Sequence, residues 1–140
     1  MADPVVVHPV GFSVLNSYLR SRPELTGLVA TRISRVMPPE LAVPRFPALR
    51  LTELTSVELI PRVWVRMLVQ VDCWAVTQLG ADELGRVVVG VLRASAGYIT
   101  ARAVLGETQD LAVRAEPDES LTPLQPRSIV TGHVWVRPNP

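Results

Sequence analysis

From Arg62 to Val76 apolar and mixed positions alternate. Val63, Val65, Met67, Val69, Val71 and Cys73 interleave with Trp64, Arg66, Leu68, Gln70, Asp72 and Trp74. A period of two puts the first set on one face of a strand and the second set on the other. At about 3.3 Å per residue the segment spans on the order of 40–50 Å. That predicts a long central strand that projects beyond its own core or bends. The next segment changes period. Leu79, Leu84, Val87, Val88, Val91 and Leu92 recur at helical spacing, so Leu79 to Ala96 is predicted as the main helix, with Thr77 as N-cap and Gly97 as stop. Upstream, Phe12, Leu15, Tyr18 and Leu19 mark a helix over Gly11 to Arg22. Pro23 opens a second, short helix ending near Val29.

Shorter strands fill the remainder. Arg32 to Met37 reads as one, and Ala48 to Leu54 as another with Leu49, Leu51 and Glu53 on one face. Tyr98 to Leu105 and Asp110 to Ala115 read as a hairpin around Gly106-Glu107-Thr108-Gln109, and Ser128 to Val136 as the closing strand. All 13 prolines lie outside the stretch from Arg62 to Glu116, where regular structure can run without losing a backbone donor. Val36 to Pro47 and Pro117 to Pro126 read as proline-pinned loops. Gly80, Gly85 and Gly90 imply close packing of the main helix on the sheet. The expected fold class is α+β: an antiparallel sheet with a long central strand and two or three helices packed on one face.

Composition adds limits. The 140 residues predict a single domain over 1–140, with loose termini at 1–9 and 138–140. A hydrophobic content of 48% against 19% charged residues is that of a chain that folds around a core. No apolar run approaches the roughly 18–20 residues of a membrane span, and the first residues lack a signal-peptide pattern, so the expectation is a soluble, intracellular protein. The net charge of +1 provides no global attraction to nucleic acid. Its distribution is uneven. Residues 20–50 carry six arginines against Glu24 and Glu40, a net of +4. Residues 107–119 carry five acids against Arg114, a net of −4. These blocks either face solvent or each other within one molecule, or they join neighbouring copies head to tail. All 14 basic residues are arginine, a pattern that biased codon usage produces and that interfaces also favour.

Candidate chemistry is sparse. His8 and His133 stand in no HExxH or other ligand spacing, and the single Cys73 sits on an apolar strand face with no base near it in sequence. Asp82 and Glu83 lie roughly 100° apart on a helix and do not face each other as an acid/base pair. No nucleophile elbow, phosphate loop or dinucleotide fingerprint occurs. The reading is therefore not an enzyme, with no catalytic, metal or cofactor residue. Trp64 and Trp74 share the mixed face of the long strand, as part of a second packed face or as anchors of a subunit interface.

The succession of features resembles the tail terminator, or tail completion, proteins of long-tailed phages over roughly residues 10–137. It comprises Tyr18-Leu19-Arg20 at the end of an early helix, then Leu28-Val29-Ala30-Thr31-Arg32-Ile33. A proline-bearing segment follows, Val36-Met37-Pro38-Pro39 to Phe46-Pro47-Ala48-Leu49. A long strand ends in Val71-Asp72-Cys73-Trp74-Ala75, and a helix starts near Ala81 and runs to Val91-Leu92. A hairpin and the strand Gly132-His133-Val134-Trp135-Val136 complete the series.

This resemblance implies a structural virion protein, made in the host cytoplasm and located in the tail and neck. It implies a six-fold ring that caps the tail tube, ends tube polymerisation and joins tail to head. Its partners would be copies of itself, the tail tube protein and a head-completion or neck protein, with DNA only passing through the lumen and no membrane. Arg45, Arg50, Glu116, Asp118 and Glu119, with Trp64 and Trp74, are the expected subunit or neck contacts. Other readings are a different neck or tube-like subunit, or a small monomeric α+β ligand-binding domain with Trp64 and Trp74 lining a cavity.

Overall fold

A computed structural model describes residues 5–35, 46–119 and 124–139. Two helices, α1 (Gly11–Ser21) and α2 (Pro23–Val29), lead into a two-residue strand β1 (Ile33–Ser34). Strands β2 (Ala48–Ile60) and β3 (Trp64–Trp74) form a hairpin, and α3 (Gln78–Arg93) follows. Strands β4 (Ala103–Ala115) and β5 (Arg127–Pro138) close the chain. The fold is α+β, with one five-stranded sheet in the order β1-β2-β3-β5-β4. The sheet is mixed, because β1 lies parallel to β2 while the other three pairings are antiparallel.

Each element follows from its residues. Pro23 sits in the first turn of α2, where its missing N–H costs no hydrogen bond. The Thr77 hydroxyl accepts from the Gly80 N–H and caps α3. The apolar stripe of α3, with Leu84, Val88, Val91 and Leu92, packs against the sheet face carrying Met67, Val69, Val71, Cys73, Val130 and Val134. Val14, Leu15, Tyr18 and Leu19 of α1 complete this core. The Tyr18 hydroxyl donates to the Val91 carbonyl at 2.5 Å and ties α1 to α3. Gly85 lets α3 approach the sheet closely, since a Cβ there would lie 2.7 Å from Val113 Cγ2. Gly90 meets nothing within 4 Å and has no such role.

Several boundaries differ from the sequence reading. The anticipated hairpin at residues 98–115 is instead a single strand, β4, paired along its length with β5. Register shifts at Leu105/Thr108 and Gln109/Ala112 absorb the polar residues that resemble a turn. Strand β2 continues six residues past Leu54, because a register shift between Glu53 and Thr55 breaks the alternation without ending the pairing. Strand β3 holds the middle position but, at 11 residues, is shorter than β2, β4 and β5. The strand expected over Arg32 to Met37 is confined to Ile33–Ser34 among the described residues. Helix α3 ends at Arg93, and Gly97, at φ +89°, belongs to the turn that follows. The loop reading over Val36 to Arg45 lies outside the described residues. At the other end, Pro138 closes β5, and the Asn139 N–H donates to the Arg102 carbonyl at 2.9 Å.

One strained position yields a prediction. Ala30 ends α2 at φ 53°, ψ −121°, a region that a Cβ disfavours and glycine tolerates. Ala30→Gly is expected to raise stability by about 0.5–1 kcal/mol, read as a higher urea midpoint.

Candidate functional site

The sheet has one face covered by helices and one that no described helix covers. On the uncovered face β3 presents Trp64, Arg66, Leu68, Gln70, Asp72 and Trp74. The cross-strand register sets Arg127, Ile129, Thr131, His133 and Trp135 of β5 beside them. The two ends of this face differ.

At the lower end lies a buried ionic cluster. The Asp72 carboxylate is fully buried and accepts from Arg50 Nε at 2.7 Å, with Arg50 Nη2 at 2.6 Å. Gln70 Nε2 donates to its other oxygen at 3.0 Å, and Arg127 Nη1 stands 4.0 Å away. Arg127 also lies 3.8 Å from Asp118, and its Nε donates to the Glu116 carbonyl at 2.9 Å. Trp74 is fully buried, and its indole N–H donates to Asp118 at 3.2 Å. Residues 116–119 are thus strapped onto the sheet by charge-assisted hydrogen bonds. Gln125 Nε2 adds a bond to the Ala75 carbonyl at 2.6 Å.

At the upper end the Trp64 and Trp135 rings meet edge to face, 5.8 Å apart at 62°. The Arg137 guanidinium lies 5.7 Å from the Trp64 ring centre, and Trp135 Nε1 donates to Gln109 at 3.2 Å. Trp64 reaches this position because Gly106 has no side chain. A Cβ there would stand 2.7 Å from Trp64 Cζ3 and 3.1 Å from Trp135 Cβ. Gly106→Ala is expected to cost about 1–3 kcal/mol by overpacking, with a shifted tryptophan emission as the specific readout.

The expected site residues therefore separate. Arg50, Trp74 and Asp118 come together with Asp72 and Arg127 inside one molecule, and Glu116 joins them through its carbonyl. Glu119 lies exposed just beyond. Trp64 stands at the opposite end of the face, so the two tryptophans do not line one cavity. Arg45 lies outside the described residues. Sequence reading missed Asp72, Arg127, Trp135 and Gln109 as partners. The only signal for Asp72 was that it is the single acid among the six mixed-face residues of β3. Trp135 occupies a mixed-face position of β5, in phase with Trp64.

Among the described residues, three arginines of the basic block and the acids of the acidic block lie toward opposite edges of the sheet, while Arg22 pairs with Glu24 and Arg50 with Asp72. Arg20, Arg32 and Arg35 surround β1. Arg20 donates to the Thr31 and Ile33 carbonyls, Arg32 donates to the Pro47 carbonyl at 2.8 Å, and Arg35 lies 4.2 Å over the Phe12 ring. Among the described residues none of the three has a carboxylate partner. Glu107, Asp110, Glu116, Asp118 and Glu119 lie on or just after β4, at the other edge. Asp110 stands 3.4 Å from His133, Glu116 pairs with Arg114 at 2.7 Å, and Asp118 contacts Arg127.

An open groove of about 750 Å³ runs between residues 7–10, α1 and the turn at 100–102. His8 lines it and is engaged elsewhere, with Nε2 2.9 Å from Glu58 of β2. That hydrogen bond holds the Glu58 carboxyl below its ordinary range. Burial pushes the Cys73 thiol well up, so it stays protonated. Hydrogen bonds from Ser128 and Gln78 hold Asp82 low and pin the start of α3 to β5. Among the described residues no group of three or more His, Cys, Asp or Glu side chains could hold a metal ion, and no helix is long and apolar enough to cross a membrane.

The architecture defines a small α+β fold with one sheet face that no described helix covers, partly strapped by residues 116–119, and with described basic and acidic groups toward opposite edges. No protein-family model and no curated protein matches this chain.

Proposed function

We propose that this chain is a structural virion subunit that assembles head to tail into a ring on a phage tail tube, ends tube growth and joins the tail to the head. One observation carries the reading: Arg20, Arg32 and Arg35 and the acids on or just after β4, far apart in sequence, lie toward opposite edges of a single sheet. Equal surfaces would favour a two-fold pair. Two unlike, complementary surfaces on one molecule favour a heterologous contact, which closes into a ring when the rotation allows. The six-fold count, the tube and neck partners and the virion location come from the resemblance of the sequence to tail terminators. In this reading the bare sheet face, with Trp64 and Trp135 at one end, turns toward the lumen, and the helices turn outward. Residues 116–119 and the Pro61–Val63 turn lie at opposite ends of the strands, available to tube and neck.

The test is light scattering over a concentration series, followed by negative-stain imaging with tail tubes of the same virion. Closed rings that stop at one layer and cap the tubes are expected. Unlimited stacking would make the chain a tube subunit. A monomer both alone and beside tubes would leave the ligand-binding reading in its place.

A further inference from the structure

Beyond the assembly of copies, the strand edges suggest how they join. Strand β1 pairs only with Leu49 and Arg50, so from Thr52 to Ile60 β2 has no described strand on its outer side. At the other edge β4 has β5 on its inner side, and residues 97–100 already bond the outer side of its first residues: the Gly97 N–H donates to the Leu105 carbonyl, the Leu105 N–H to the Tyr98 carbonyl and the Thr100 N–H to the Ala103 carbonyl. Among the described residues, 52–60 of β2 and 106–115 of β4 present backbone N–H and C=O groups with no ladder partner on the outer side. The free part of β2 also leaves Leu54, Val57 and Ile60 about half exposed, at 49%, 48% and 48%. At the start of that stretch Thr52 stands level with Ala112 of β4, which is small and exposed.

Strand sense and height both match. Strands β1, β2 and β5 run one way, and β3 and β4 run the other. A rotated copy set alongside therefore brings its β4 antiparallel to β2. Heights can be followed through the register. Ser56 aligns with Met67, Val134 and Thr108, and Glu58 aligns with Val65, Val136 and Leu105. Residues 52–57 of β2 thus stand level with the unpaired residues 106–112 of β4, whereas 58–60 stand level with the part of β4 that residues 97–100 already cover. Lower down, Arg32 holds the Pro47 carbonyl beside Ala48, which aligns with Trp74 and Arg127, and the Arg127 carbonyl accepts from the Glu116 N–H. The basic surround of β1 accordingly stands level with the acidic stretch 116–119. A neighbour with no shift along the strands satisfies both matches at once: bare edge against bare edge, positive against negative. A neighbour displaced along the strands loses one of them.

We infer that copies of this chain continue one another's sheet, β4 of each adding antiparallel to the free outer edge of β2 in the next, at a common height. The occupant of the β2 edge is a second copy, and the contact specifies a flat, closed ring rather than a rising helix. The bulges of both strands and the charges of Glu107 and Asp110 oppose indiscriminate edge pairing, so the arginines around β1 select the docking. This inference rests on the head-to-tail reading above and adds the strands and their sense.

Cysteine cross-linking tests it, since the buried native Cys73 does not compete. Thr108→Cys is combined in turn with Glu53→Cys, Ser56→Cys and Glu58→Cys to allow for stagger between strands. At least one double variant is expected to give a covalent ladder ending at a closed ring on mild oxidation, and the single variants are expected to give none. Cross-linking by a single variant would show a two-fold contact and overturn the inference. Hydrogen exchange on the unsubstituted protein provides an independent readout. On assembly the outward amides of residues 52–57 and 106–112 should slow by about ten-fold or more. Rings that form without that slowing, and without any cross-link, overturn the strand contact and leave the ring reading intact. Failure of the unsubstituted chain to assemble at all overturns both.

Discussion

Asp72→Ala is expected to cost about 3–5 kcal/mol, because it strands charge in the interior. The carboxylate is fully buried between Arg50, which reaches it with two nitrogens, and Gln70, with Arg127 close by. Truncation leaves Arg50 and Arg127 partly buried, with Asp118, 3.8 Å from Arg127, as the near counter-charge among the described residues. The damage spreads through the strap, since Arg127 also holds the Glu116 carbonyl and Asp118 receives the Trp74 indole N–H. Urea unfolding should show the loss, and limited proteolysis should show earlier cleavage near residues 116–126. Replacing the pair together, as Arg50→Met with Asp72→Leu, should recover most of the loss, because no charge then remains unpaired at that position. A single-variant cost below about 1 kcal/mol would mean that Arg50 finds an equivalent partner in water.

The second large effect concerns assembly. Arg35→Glu places an acid at the β1 edge, and Glu119→Arg places a base at the opposite edge. Each alone should set like charges against each other between copies and raise the concentration needed for assembly about ten-fold or more, equivalent to roughly 1.4 kcal/mol or above. The double variant should assemble again, because the two reversals restore opposite signs. Both side chains are exposed, and Arg35 touches the flank of Phe12 rather than the core, so circular dichroism should find the fold unchanged. Added salt should weaken assembly of the unsubstituted chain as the Debye length shrinks. If the double variant stays as defective as either single one, these edges do not meet.

Both results depend on groups brought together from distant positions. Arg50 and Asp72 are 22 residues apart, and Trp74 and Asp118 are 44 apart. In sequence, Asp72 was one mixed-face residue among six, and nothing local marked it as buried. Arg50, Trp74 and Asp118 were singled out for contacts between molecules and are occupied within one. Strand β4 resembled a hairpin for a related reason. Its middle is polar because it is an edge strand facing solvent, and Gly106 is present for the Trp64 ring rather than for a turn.

The chain by itself determined what local periodicity can carry. The helical spacing of α1 and α3, the first-turn proline of α2 and the alternation along β3 and β5 each follow from side chains a few residues apart. So does the assignment of Met67, Val69, Val71 and Cys73 to one apolar face. Only the tertiary structure decided strand order, the parallel pairing of β1, the length of β2 past its bulge and the placement of opposite charges on opposite edges. Those properties come from hydrogen bonds and ion pairs between segments tens of residues apart, whose free energy depends on which segments meet and carries no signature in the spacing of neighbours.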